Sequence, residues 1–205
     1  MWRWMRWAAL PALGLLAASC GTSTQMMESW REPSYHPAPV SKVILIGIGE
    51  NERRVKSFED LMGRHFSARK LSVVPGSSVM PKDSVDLETM KQLVANTGAE
   101  LAVTCRLVGI EKETQYVPGT THYVPGPGYY GMYPYYYSSY AVVHDPGYVT
   151  QYKVYKVESN VYDIATAKLV WSGLSNTTDP VHFEDGVNSR GVTLINELVR
   201  AKIIK

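Results

Sequence analysis

The sequence predicts an α/β fold: a β-α-β-α-β start, then a β-hairpin and a C-terminal helix, in one mixed sheet covered by helices. Three observations predict it. Between residues 42 and 110, apolar runs of strand length alternate with segments of helical period. After a long Tyr/Gly/Pro-rich insertion the period changes to two. The last segment then returns to helical spacing.

The folded part is expected to start at Lys42. Val43-Ile44-Leu45-Ile46 is continuous apolar sequence, as in a strand buried on both faces. Asn51 is placed to cap a helix reaching Lys70, in which Val55, Phe58, Met62 and Phe66 recur at helical spacing and Leu61 widens the stripe. Leu71 to Val74 reads as a second strand, stopped by Pro75-Gly76. A second helix runs from Leu87 to Thr97, with Met90, Leu93, Val94 and Thr97 on its inner face and Gly98 as its stop. Leu101 to Ile110 is the third strand. Such an order reads as a parallel sheet with right-handed crossovers, the first strand central and a helix on each face.

Beyond the insertion, Tyr155, Val157 and Val161 alternate with Lys156, Glu158 and Asn160, the pattern of a strand with one solvated face. Asp163 to Lys168 makes a turn in which Asp and Thr side chains can bond the backbone. Leu169 to Leu174 returns as the partner strand, placing Trp171 in the core. Pro180 begins the approach to a last helix with Val187, Leu194, Ile195 and Leu198 inside, ending near Ile203. Gly186 and Gly191 weaken its first half.

The amino terminus carries a different message. Arg3 and Arg6 precede the uncharged run Ala8 to Ala18. A bilayer-spanning helix needs about 20 apolar residues, whereas the core of a secretory signal needs roughly 7–15. The run ends Leu16-Ala17-Ala18-Ser19-Cys20. Small residues followed by a cysteine resemble the lipobox of bacterial lipoproteins, with Leu16 one step earlier than the usual leucine. The resemblance implies a signal peptide at 1–19, cleavage before Cys20, and a diacylglycerol and fatty acyl anchor on that thiol. Several chains on one cysteine hold a protein stably on a membrane. Gly21, where Asp favours inner-membrane retention, implies the outer membrane, facing the periplasm. Residues 20–41 contain Pro33, Pro37 and Pro39 and are expected to be the lipidated cysteine and a flexible tether. Residues 42–205 are then a single α/β domain with the insertion at about 114–152.

Removing residues 1–19 deletes Arg3 and Arg6 and takes the formal net charge from +2 to 0. A neutral chain lacks the electrostatic footprint of a nucleic-acid binder. With Cys20 committed to lipid, Cys105 has no disulfide partner and reads as a small buried hydrophobe.

No catalytic, metal or cofactor set assembles from the sequence. Ile46-Gly47-Ile48-Gly49 suggests a dinucleotide fingerprint, but Glu52 stands where the third glycine belongs, and the second strand offers no ribose-binding acid. His36, His65, His122, His144 and His182 are scattered. His122 and His144 bracket the insertion without a nearby carboxylate or thiol cluster, a poor metal site. Glu111 and Glu113 alternate along a strand as a solvated face. Glu50, Asn51 and Ser77 are the residues that the fold would bring near one another at the carboxyl ends of the first strands.

The insertion departs most from ordinary composition. Tyr129, Tyr130, Tyr133, Tyr135, Tyr136 and Tyr137 fall within nine residues interrupted by Gly131 and Pro134. Tyrosine presents a flat ring and a hydroxyl at low rotamer cost. These six are the expected binding surface for a glycan, a membrane interface or a protein partner.

The run Thr97-Gly98-Ala99-Glu100-Leu101-Ala102-Val103-Thr104 and the hairpin from Val161-Tyr162-Asp163 to Leu169-Val170-Trp171-Ser172 resemble bacterial lipoproteins whose domain is of the TolB amino-terminal and CsgG types. The resemblance covers residues 42–204 outside the insertion. Ala167 stands where the hairpin turn of that family usually has glycine. The resemblance implies envelope interaction or assembly and brings no catalytic residue. The expected function is a non-enzymatic envelope module tethered to a membrane through Cys20, with an envelope protein or peptidoglycan as partner and no nucleic acid. The alternatives are an envelope hydrolase or a CsgG-like self-associating assembly subunit.

Overall fold

The computed structural model describes residues 22–80, 86–123 and 142–205. Its elements are β1 (Ser23–Arg31), β2 (Lys42–Ile48), α1 (Glu52–Ser67), β3 (Ser72–Pro75), a single 3-10 turn at Gly76–Ser78, α2 (Leu87–Asn96), β4 (Leu101–Val117), β5 (Thr120–Tyr123), β6 (Val142–Asp145), β7 (Tyr148–Asp163), β8 (Lys168–Thr178) and α3 (Phe183–Arg200). Six strands form one mixed sheet in the order β1-β8-β7-β4-β2-β3. β3, β2 and β4 run parallel; β7, β8 and β1 continue antiparallel.

Helices α1 and α3 cover one face. Between them and the sheet lie Val43, Leu45, Met62, Phe66, Leu101, Val103, Val161, Trp171, Leu194 and Leu198, all buried. Trp171 is in the core and the stripe on α3 faces inward, as the spacing predicts. Ile203 and Ile204, just past the helix, are buried too. Gly191 serves a purpose that its low helix propensity hides. A Cβ there would sit 2.2 Å from His65 Cδ2, so glycine lets α3 approach α1.

The other face is less covered. Ile44, Ala99 and Ala102 form a small second cluster with Val94 and Tyr162 against it. Asp86 caps α2 by accepting from the N–H groups of Glu88 and Thr89. No residue of α2 is fully buried, and Met90, expected inside, is 40% exposed. The expected central strand is β2. It is central among the parallel three but second from the edge of the whole sheet, because the antiparallel strands all add on the β4 side.

The tether expectation needs correction. Residues 23–31 form β1, which pairs antiparallel with β8 from Ser23↔Thr178 to Arg31↔Trp171. The chain after β1 also contacts the fold: Arg31 Nη2 donates to the Tyr35 carbonyl at 2.6 Å, and Tyr35 and Val40 pack on the main core. Residues 23–41 are therefore part of the fold rather than a tether.

The hairpin turn is built as its sequence suggests, with Asp163 Oδ1 accepting from the Thr166 N–H at 2.8 Å and the Thr166 hydroxyl at 2.9 Å. Ala167 has φ +53, the left-handed region that favours glycine. Replacing Ala167 by Gly is expected to raise stability by up to about 1 kcal/mol, the relieved strain offset by the greater freedom of the unfolded chain. Urea melts check this, and an unchanged or lower midpoint would mean that the turn holds no strain at this position.

Strands β4 and β7 run far into the insertion, paired without interruption from Gly109↔Lys156 to Val117↔Tyr148. Beyond a neck at Gly119 and Gly147, β5 and β6 pair only with each other. Replacing 119–147 by a short Gly-Ser turn should consequently shift stability by no more than about 1–2 kcal/mol. Thermal melting tests this; outright unfolding would place these residues in the core.

Candidate functional site

In open α/β sheets the carboxyl ends of parallel strands are the usual place for a ligand. Here that place is already occupied by protein. Glu59, on α1, is 1% exposed. Its Oε1 accepts from the Gly47 N–H at 2.9 Å and its Oε2 from the Ser77 N–H at 3.0 Å. The strand-end donors that would face a phosphate thus point into an internal carboxylate. Gly47 is where α1 presses closest to β2, since a Cβ there would meet Val55 and Phe58 at 3.2 and 3.3 Å. The Ile46-Gly47-Ile48-Gly49 run is accordingly a packing device.

The three residues of the hydrolase alternative do different jobs. Asn51 accepts from the Arg54 N–H as the cap of α1. Ser77 is held through its backbone by Glu59. Glu50 is exposed. Among the described residues no hydrogen bond joins any two of them.

Other candidates are placed as follows. Cys105 is buried, 3.4 Å from Ser159 Oγ, and burial pushes its thiol pKa up. Thr121 Oγ1 lies 3.0 Å from His144 Nδ1, and the register sets His122 opposite Val143. Glu111 pairs with Lys156 at 2.6 Å, and Glu113 accepts from the Tyr152 hydroxyl at 2.7 Å, which raises the Tyr152 pKa. No group of three metal-ligating side chains occurs among the described residues. Cys20 and the six tyrosines from Tyr129 to Tyr137 lie outside the described residues.

Two open grooves flank β1. One, of about 670 Å³, lies between Thr22–Thr24 and Val181, just before α3, with Asn188 and Val192 on the helix itself. The other, of about 530 Å³, runs from Gln25 and Met27 to Gln115, Thr150 and Tyr152 at the root of the β4–β7 ribbon.

Sequence reasoning missed two buried polar groups. Arg190 is 6% exposed, and its Nη2 donates to Thr177 Oγ1 at 2.8 Å. Burial lowers its pKa to about 10, against a small opposing effect of Cys105. Both residues were signalled by position. Glu59 stands four residues after Val55 and three before Met62; Arg190 stands three after Val187 and four before Leu194. A charge inside an apolar stripe is a charge turned inward.

No protein-family model matches the chain, and no characterised protein matches it in sequence. In structure it is similar to the PelC dodecamer of Paraburkholderia phytofirmans, with a TM-score of 0.45 at 11% identity over 89% of this chain and 99% of that one. It is similar to lipoprotein GNA1162 from Neisseria meningitidis, with a TM-score of 0.40 at 10% identity over 79% and 99%. A PDZ domain protein from Parabacteroides distasonis gives 0.38 at 10% identity, over 87% of this chain and 37% of that one. At these scores the likeness assigns no function.

If Glu59 is the pin that the geometry describes, Glu59→Leu leaves two buried N–H groups without an acceptor. The expected loss is about 2–6 kcal/mol, at about 1–3 for each orphaned donor. Denaturant melts measure it, with faster amide exchange at Gly47 and Ser77. A loss below about 0.5 kcal/mol, the range of ordinary surface substitutions, would show that the pin is dispensable.

Proposed function

We propose that this protein is a non-enzymatic lipoprotein of the cell envelope: a binding or assembly module held on the periplasmic side of the outer membrane by lipid on Cys20. The observation that carries the reading is the apolar run Ala8 to Ala18 ending in small residues at Cys20. The strand Ser23–Arg31 starts three residues after Cys20, so a lipid on that thiol would lie next to the sheet in this reading. No helix among the described residues is long and apolar enough to cross a membrane, so the lipid is the anchor in this reading.

The hydrolase alternative draws no support from Glu50, Asn51 and Ser77: Asn51 caps α1, the Ser77 N–H is taken by Glu59, and Glu50 is exposed. Self-association by edge-to-edge strand pairing meets two obstacles. β1 carries a bulge at Met27, and β3 ends in Pro75; both features blunt a sheet edge.

Cys20→Ser is expected to move the protein from the membrane fraction to the soluble periplasm and to abolish incorporation of labelled palmitate. Fractionation and labelling decide it. A variant that stays on the membrane would remove lipidation as the anchor.

A further inference from the structure

From the lie of β1 relative to the rest of the sheet we infer a membrane contact: the outer end of the β4–β7 ribbon rests in the interface of the same bilayer that holds Cys20. This rests on the lipid-anchored reading above and adds an orientation to it.

The argument is one of register and reach. Ser23, Thr178, Val154 and Glu111 form one row across β1, β8, β7 and β4. At this row β1 begins and β8 ends. Only β4 and β7 continue past it, six residues further to Val117↔Tyr148. At the strand rise of about 3.3 Å per residue, the ribbon extends the sheet by about 20 Å. Cys20 leaves from the same end, and the three steps from Ser23 back to Cys20 span at most about 11 Å. The ribbon therefore outreaches the linker. A bilayer that lies across this end of the sheet and holds acyl chains on Cys20 meets the ribbon. The opposite end, the turn Asp163–Lys168, stands about 30 Å away along β8.

The exposed side chains suit that medium. No charged side chain occurs from Thr114 to Val117 or from Tyr148 to Tyr152, the outer paired part of the ribbon; Asp145 follows beyond it, opposite Thr120. Tyr116, Tyr148 and Val149 are 64%, 62% and 63% exposed. Tyr116 stands opposite Val149, and Tyr148 opposite Val117, one residue further along the strands. Adjacent pairs point to opposite faces, so the ribbon is apolar on both sides. A partner protein needs one such face; a lipid interface surrounds both. Tyrosine, with an apolar ring and a polar hydroxyl, is enriched at this depth. The charges begin again at the root of the ribbon, with Glu113 and Lys153 opposite Tyr152 and Lys112.

The test uses the full lipidated chain, reconstituted in vesicles of phosphatidylethanolamine with a minority of phosphatidylglycerol. Gln151→Cys and, separately, Ala165→Cys carry an environment-sensitive fluorophore; Cys105 is buried and Cys20 is acylated. The label at 151 is expected to shift to the blue and to be quenched several-fold more strongly by lipids bearing quenchers near the headgroup than the label at 165. Adding Tyr116→Ser, Tyr148→Ser and Val149→Ser should abolish that difference while the protein stays on the vesicles. A vesicle-bound protein whose two labels are equally wet overturns the ribbon contact and leaves the lipoprotein reading intact. Quenching that survives the three serines overturns the assignment to these side chains. A protein that fails to bind vesicles and keeps an unmodified Cys20 thiol by mass overturns both.

Discussion

One buried carboxylate sets the geometry of the parallel half of the molecule. Glu59 reaches from α1 and gathers the N–H of Gly47, at the end of β2, and that of Ser77, after β3. A second carboxylate does the same at the other end of β2. Glu100 accepts from the Ser41 hydroxyl at 2.8 Å and the Lys42 N–H at 2.7 Å. Its partial burial opposes ionisation, yet these bonds hold its pKa below the ordinary value. β2 is thus fastened at both ends by side chains from its neighbours. Donors used in this way are not on offer to a ligand, which turns attention from the strand ends to the antiparallel half.

What the sequence made legible and what it hid follow from where the free energy comes from. β2, α1, β4 and α3 bury large apolar side chains, and burial at about 25 cal/mol per Å² leaves a periodic trace in the residues. β1 leaves almost none. Its residues, Ser-Thr-Gln-Met-Met-Glu-Ser-Trp-Arg, are mostly exposed, and it holds its place through backbone bonds to β8 about 150 positions away. Polar, proline-flanked sequence of that kind reads as a linker. For α2 the error ran the other way. Its apolar spacing is real, but the small residues Ala99 and Ala102 beneath it leave little to pack against. Glu59 and Arg190 were legible and passed over, since both interrupt stripes otherwise apolar. The tyrosines Tyr129 to Tyr137 remain a matter of sequence alone.

The core is not uniform along the sheet. Beneath α3 the apolar packing gives way to Cys105, Ser159, Ser175, Thr177 and Arg190, all buried. Among the described residues Arg190 makes no ion pair, and one hydroxyl is its hydrogen-bond partner. A guanidinium in that setting costs free energy that an apolar side chain of similar size would not. Thr177 Oγ1 also meets Thr24 Oγ1 at 2.9 Å, which links the buried cation to the start of β1. The polar part of the core and the start of β1 are one hydrogen-bonded unit.

The pairing of β1 with β8 has a consequence for the order of events in folding. Among the described residues the first strand in the chain is the partner of the last. Until residues 168–178 arrive, β1 has no neighbour, and until β1 docks, β8 presents a bare edge that invites association with other chains. Closing a connection of such length is slow compared with forming the local β2-α1-β3 unit. Docking of β1 is then a late step, and the outer edge of β8 stays uncovered until it happens.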